Sequence, residues 1–240
     1  MVDEHKNAQQ QPAASFDPYD QRKHKKTRGE VGCDGIEPGT KFEILAFDIG
    51  QVSVPFNWPE VEAGFAQHIG CSREEVSAAM KKLSLLGYES GDIDTPSFIE
   101  ALNEYLDCRI SPSEFSSLWN NTFVECETMK GILEKLNGTH RMFALSNTNP
   151  EHYEYLDKVL NVYRHYEELI LSHQVGYMKP HKRIYQEVLK RARKRVRKNQ
   201  VLFVDDKPEF IHGARKYGFY AILFTTPEAL IQRFREIGLA

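Results

Sequence analysis

Five short apolar runs punctuate the chain: Glu43-Ile44-Leu45-Ala46-Phe47-Asp48, Met142 to Asn147, Leu169-Ile170-Leu171-Ser172, Val201 to Asp206, and Tyr220-Ala221-Ile222-Leu223-Phe224. Each is continuous rather than alternating, the pattern of a strand covered on both faces, as in a parallel sheet. Helical patterns fill 149–160, 181–194, 208–217 and 227–237. Asn149-Pro150 and Thr226-Pro227 read as a capping residue followed by proline in the first turn. Strands alternating with helices predict an α/β fold with a doubly wound, Rossmann-like parallel sheet.

The stretch between the first two runs is too long for a single crossover. Residues 57–123 read instead as four amphipathic helices. Ser72-x-x-Glu75 and Ser111-x-x-Glu114 have capping-box spacing, and Thr95-Pro96 marks another helix start. Apolar residues recur at Val76, Met80, Leu83 and Leu86, at Phe98, Leu102 and Leu106, and at Phe115, Trp119 and Phe123, all helical periods. The expected layout is a core formed by 42–50 and 127–240, with an inserted four-helix cap at 51–126. Residues 1–41 hold Gln9-Gln10-Gln11-Pro12, the basic run Arg22 to Arg28 and few, aperiodic apolar residues. Such a segment cannot repay the entropy of ordering and reads as a disordered polar tail.

Composition narrows the classes. The 240 residues are 41% hydrophobic and 27% charged with a net charge of −3, enough for a core and without general attraction to nucleic acid or acidic membranes. Purely aliphatic or aromatic runs reach about four residues where a bilayer span needs roughly 20, so a membrane-spanning helix is excluded. The first residues lack the apolar stretch of a secretory signal. Cys33, Cys71, Cys108 and Cys126 have no C-x-x-C spacing, which argues against a zinc ribbon or a disulfide framework. A cytoplasmic, reducing location fits. Residues 190–198 carry seven positive charges; a solvated helix face is the ordinary account, and a nucleic-acid patch, lacking interleaved aromatics, the minor one.

Ligands of an open parallel sheet bind beyond the carboxyl ends of its strands. The polar residues that end the apolar runs therefore converge: Asp48, Ser146 with Asn147, and Asp205 with Asp206, joined by Lys179 in the loop after the third run. Three carboxylates at one edge repel unless a cation sits among them. Hard oxygen ligands of this kind suit Mg²⁺, which also bridges to phosphate.

The ordered set Phe47-Asp48-Ile49-Gly50, Leu145-Ser146-Asn147-Thr148-Asn149, Gly176-x-x-Lys179-Pro180 and Phe203-Val204-Asp205-Asp206 resembles the haloacid dehalogenase-like hydrolase superfamily. The insertion after the first motif is similar to that superfamily's C1-type cap. Within the superfamily, the chain is similar to the branch that includes α-glucose-1-phosphate phosphatases, as is Gly91-Asp92-Ile93-Asp94 in the cap. The resemblance implies hydrolysis of a small phosphorylated metabolite, with Asp48 as nucleophile. It further implies Mg²⁺ held by Asp48, the Gly50 carbonyl, Asp205 and Asp206, and phosphoryl oxygens held by Ser146, the Asn147 backbone and Lys179.

Two positions depart from the superfamily pattern. Most of its phosphatases carry a second Asp, the general acid and base, where this chain has Gly50; Glu89, Asp92 or water are the candidates to replace it. Phe210 stands where relatives often carry Asn, a change expected to bear on loop bracing. Two alternatives share the same residues: a haloacid dehalogenase, which needs neither the second Asp nor a metal, and a non-catalytic phosphate-binding scaffold. A receiver domain is excluded, because its acidic pair follows the first strand and its lysine the last.

Overall fold

The computed structural model describes residues 34–193 and 195–239. Five parallel strands, β1 (Ile44–Phe47), β2 (Arg141–Ser146), β3 (Glu168–Leu171), β4 (Val201–Asp205) and β5 (Tyr220–Leu223), form one sheet in the order β3-β2-β1-β4-β5. The first strand is thus central, paired with β2 on one side and β4 on the other. Phe47 stands opposite both Ala144 and Val204.

The continuous apolar runs have the expected cause. Leu45 and Phe47 point into one core with Met142, Leu202 and Val204, covered by α5 (Glu127–Asn137) and α10 (Pro227–Ile237). Ile44 and Ala46 point into the opposite core with Phe143, Leu145 and Phe203, covered by α8 (Lys182–Arg191) and α9 (Pro208–Tyr217). All four β1 residues are buried, so the strand could not alternate with polar residues. α6 (Pro150–Lys158) follows β2, and its Leu156 packs with Ile49 and Val54 in a further cluster. A single turn, α7 (Ser172–Val175), follows β3.

The insertion folds as α1 (Trp58–Ile69), α2 (Arg73–Leu83), α3 (Thr95–Tyr105) and α4 (Pro112–Asn120). Both capping boxes form: Ser72 and Ser111 accept from the Glu75 and Glu114 backbone N–H groups, and each glutamate reaches back to its serine. Asp94 caps α3 by accepting from Ser97 N–H at 2.9 Å. Phe65, Phe98, Phe115 and Trp119 interlock as this insertion's own core, separate from those on the sheet.

Two differences from the pattern analysis stand out. α5 was not singled out, although Met129, Ile132, Leu133 and Leu136 carry its buried face at helical spacing. Residues 1–33 of the expected tail lie outside the described residues, while residues 34–41 are packed. The Arg233 fork grips Asp34 at 2.6 and 2.8 Å, Ile36 is buried beside α10, and Gly39 N–H donates to the Ile237 carbonyl. The tail boundary therefore falls earlier than expected, because a bidentate ion pair and one buried isoleucine anchor this segment. The first part of the basic run is paired where it is described: Arg191 and Arg193 both approach Glu168, and Lys190 pairs with Glu187. Among the described residues, no helix is long and apolar enough to cross a membrane.

Candidate functional site

The carboxyl edge of the sheet gathers the strand-end residues. Asp48 N–H donates to the Val204 carbonyl at 2.9 Å, extending the ladder one residue past β1 and fixing where the carboxylate begins. Asp48 Oδ1 then accepts from the Ile49 N–H at 2.7 Å and pairs with Lys179 Nζ at 2.9 Å. Among the described residues, no donor reaches Oδ2. That oxygen is the one left to act.

Lys179 serves two carboxylates at once. Its buried amino group also donates to Asp205 Oδ2 at 2.6 Å, while Asp205 Oδ1 accepts from the Lys207 N–H at 2.8 Å. Asp205 is thereby occupied by protein donors on both oxygens. Burial opposes the charge on Lys179, but Asp205 and Asp48 outweigh it and hold the amine above the ordinary lysine range. Phe203 and Phe210 place their rings 5.4 and 5.0 Å from the same nitrogen. Phe210 thus touches the charged centre of the site, a larger role than the loop bracing its position suggested. The Lys179 backbone is clasped by Asn147, whose Oδ1 accepts from Lys179 N–H at 2.7 Å and whose Nδ2 donates to its carbonyl at 3.1 Å. Asn147 therefore positions the lysine with its side chain and leaves only its backbone for a ligand. Ser146 is buried and makes just one long contact, 3.4 Å, to the Asn147 carbonyl.

Asp206 completes the acidic group. One oxygen each of Asp48, Asp205 and Asp206 can be chosen so that all lie within 4.8 Å of one another. Burial and then the Asp48 charge push the Asp206 carboxyl up to about 6, against the pull of Lys207 and Lys179. Burial likewise raises Asp205, Lys179 pulls it down and Asp48 pushes it up again. Lys179 and the nearby Lys207 do not together neutralise three such carboxylates, so the donor set fits a hard divalent cation.

Gly50 lies two residues beyond Asp48, where the chain turns sharply. Ser53 and Val54 N–H groups both donate to the Ile49 carbonyl, and Gln51 adopts φ 62°. A Cβ built on Gly50 would come 3.1 Å from Phe56 Cε1. The aromatic ring of Phe56, itself packed on Phe123 at 5.5 Å, covers the place where a second carboxylate would start. Nothing in the sequence signals the packing of Phe56 on Phe123 that sets this ring in place.

The insertion meets the core through α4 and through the loop that precedes α3. Trp119 Nε1 donates to Asn149 Oδ1 at 3.4 Å, its ring stacks on His152 at 5.3 Å, and Asn120 Nδ2 donates to Glu151 at 3.2 Å. In the loop, Gly91 sits against the backbone after β3 so closely that an added Cβ would lie 2.2 Å from the His173 carbonyl oxygen. With φ +79° at Gly91 as well, only glycine suits this approach. Of the two acid candidates, Asp92 is turned into its own loop, where it accepts from Ser90 Oγ at 2.5 Å and its N–H donates to Gly87. Glu89 instead shares the electrostatic neighbourhood of Lys207, Asp48 and Lys179. Lys207, directly after the acidic pair, is a further charge at this edge that the motif reading did not single out.

A family model described as haloacid dehalogenase-like hydrolase matches residues 115–218, which include the Ser146, Lys179 and Asp205-Asp206 segments just described. Over that stretch the chain is similar to the haloacid dehalogenase-like hydrolases. It is 28% identical over 188 residues, 73% of its length and 88% of the relative's, to a D-ribitol-5-phosphate phosphatase from Bacteroides thetaiotaomicron. A crystal structure of a haloacid dehalogenase-like enzyme from the same organism, in a magnesium complex, matches with TM-score 0.72 and 23% identity over 82% of this chain and 99% of that one. The wild-type form of that enzyme with magnesium and inorganic phosphate matches with TM-score 0.66 and 20% identity, over 76% and 93% of the two chains.

Proposed function

We propose that this haloacid dehalogenase-like protein is a Mg²⁺-dependent phosphatase that hydrolyses a small sugar- or polyol-phosphate through an aspartyl-phosphate on Asp48. The observation that carries the reading is the asymmetry of Asp48. Oδ1 is tied to Lys179 and to a backbone N–H, and among the described residues Oδ2 is left without a donor at the carboxyl edge of the central strand. A carboxylate fixed by one oxygen presents the other in a constant direction, the preorganisation that attack on phosphorus requires. Lys179 and the N–H groups at the end of β2 supply positive charge where the transferring oxygens gather, and Ser146 Oγ, nearly unengaged, can donate to one of them. Asp48, Asp206 and the Gly50 carbonyl would hold the metal, with Asp205 behind them. When bound, Mg²⁺ would neutralise the carboxylates and polarise the phosphoryl group.

Support for the substrate class comes from the ribitol-phosphate phosphatase relative and from the structural relative with magnesium and inorganic phosphate. A dehalogenase would have no use for the cluster of Asp48, Asp205 and Asp206, and a mere scaffold no need for the poised oxygen of Asp48. The test is phosphate release from a panel of sugar and polyol phosphates, ribitol 5-phosphate included, with Mg²⁺ and with EDTA. Release that needs Mg²⁺ is expected. Full turnover in EDTA, or none on any ester, would sink the reading.

A further inference from the structure

We propose that the proton donor to the leaving group is Glu89, carried by the helical insertion rather than by the core. This rests on the phosphatase reading and completes it, because a phosphatase acting on an alkyl phosphate needs an acid and the usual position is Gly50. Three observations lead to Glu89. Phe56 lies 3.1 Å from where a Gly50 side chain would begin, so the core cannot host the acid there without moving a ring that is itself braced by Phe123. The loop bearing Glu89 is pressed onto the core two residues later, by Gly91 against the His173 carbonyl, and held from inside the insertion by Tyr88. Tyr88 stacks on Phe98 at 4.4 Å and shares a 2.9 Å hydrogen bond with Thr95. Finally, the charges that act on Glu89 are those of the site, Lys207, Asp48 and Lys179.

Glu89 is exposed to solvent, and the protein beside it still holds its carboxyl above the ordinary range, while Lys207 pulls it down and Asp48 pushes it up. From a loop pressed onto the core, such a carboxyl can both give a proton and take one back. In the first step an Asp48 oxygen bonds to phosphorus and the P–O bond to the leaving group breaks. The leaving oxygen takes the electron pair and the Glu89 proton. In the second step water attacks phosphorus and gives its proton to Glu89. The bond to Asp48 breaks, its electrons return to the carboxylate, and inorganic phosphate leaves with Glu89 protonated again. The acid is therefore present only while the insertion is seated on the core.

The experiment compares Glu89→Gln with wild type on two esters in Mg²⁺. p-Nitrophenyl phosphate has a leaving group that needs no proton, and ribitol 5-phosphate has one that does. Glu89→Gln should release about one equivalent of nitrophenolate in a burst and then slow, since only the water step lacks its base. On ribitol 5-phosphate it should fall about 10²- to 10⁴-fold without a burst. Gly91→Ala, which lifts the loop without touching the carboxyl, should show the same dependence on leaving group. Wild-type rates for Glu89→Gln on the alkyl ester would overturn the assignment alone, as would loss of the aryl burst, which would make Glu89 a binding or structural residue. A wild-type protein that hydrolyses neither ester would instead bring down the phosphatase reading, and this proposal with it.

Discussion

The sheet edge and the helical insertion solve positioning in opposite ways. At the edge, geometry is inherited from register: Asp48, Ser146 and Asp205 sit where they do because β1 pairs with β2 and β4, and a buried lysine ties two of the carboxylates together. The insertion has a separate aromatic core and touches the edge at few points, chiefly Trp119 on α6 and Gly91 on the loop after β3. The edge is rigid because moving it would break the sheet, whereas the insertion can shift by giving up a few contacts. The charged edge is thus fixed, and the surface the insertion brings to it is adjustable.

That contrast is tested most severely at the edge, by two substitutions one contact apart. Asp48→Asn keeps the side chain's shape and should abolish turnover by orders of magnitude with little change in the urea midpoint. Lys179→Met removes the cation shared by two carboxylates and should cost about 3–5 kcal/mol as well as activity, because Asp48 and Asp205 are left buried and uncompensated. If Lys179→Met unfolds no more easily than Asp48→Asn, the rigid-edge description is wrong.

The next effect tests the joint between the two regions. Burial between Trp119 and Phe123 drives the His152 imidazole down to about 3, and its Nε2 has no hydrogen-bond partner among the described residues. The unfolded chain takes up that proton near its ordinary value of about 6.5, so this histidine's contribution to stability is full above that pH. It is lost as pH falls from there toward 3. Between about pH 7 and pH 5.5, wild type should lose about 1 kcal/mol more than His152→Gln in paired denaturation curves. Parallel curves would show that the joint admits a charged histidine.

The smallest effect lies away from both regions. Ile36→Ala removes the apolar anchor of the segment on α10 and should cost about 2 kcal/mol of stability without altering turnover, because its partners Ile237 and Phe234 belong to the core and not to the acidic cluster. An unchanged melting temperature would return residues 34–41 to the tail.

Much of the edge was legible in the sequence because its chemistry is local. Each strand is a short apolar run, and the polar residue that ends it is the site residue, so order along the chain maps onto position along the edge. The cap helices were legible for a related reason: Ser72 with Glu75 and Ser111 with Glu114 mark their starts within four residues. What escaped was long-range. Arg233 grips Asp34 across 199 positions, and Trp119 reaches Asn149 across 30, with no periodicity to announce either. The occupation of Asp205 by Lys179 and by the Lys207 N–H was hidden in the same way, since sequence gives the residues but not which lone pairs are free.

The central place of β1 has a consequence for amide hydrogen exchange. Both edges of Ile44–Phe47 are hydrogen-bonded to neighbouring strands, and both faces are covered. Its N–H groups, and that of Asp48 bonded to Val204, can meet solvent only when the sheet comes apart, so their exchange should report the global opening of the fold. Amides of the loop 87–92 need only the insertion to lift. The slowest-exchanging and the faster-exchanging parts of the molecule would then face each other, one holding the Asp48 carboxylate and the other sampling open states many times for each time the sheet opens.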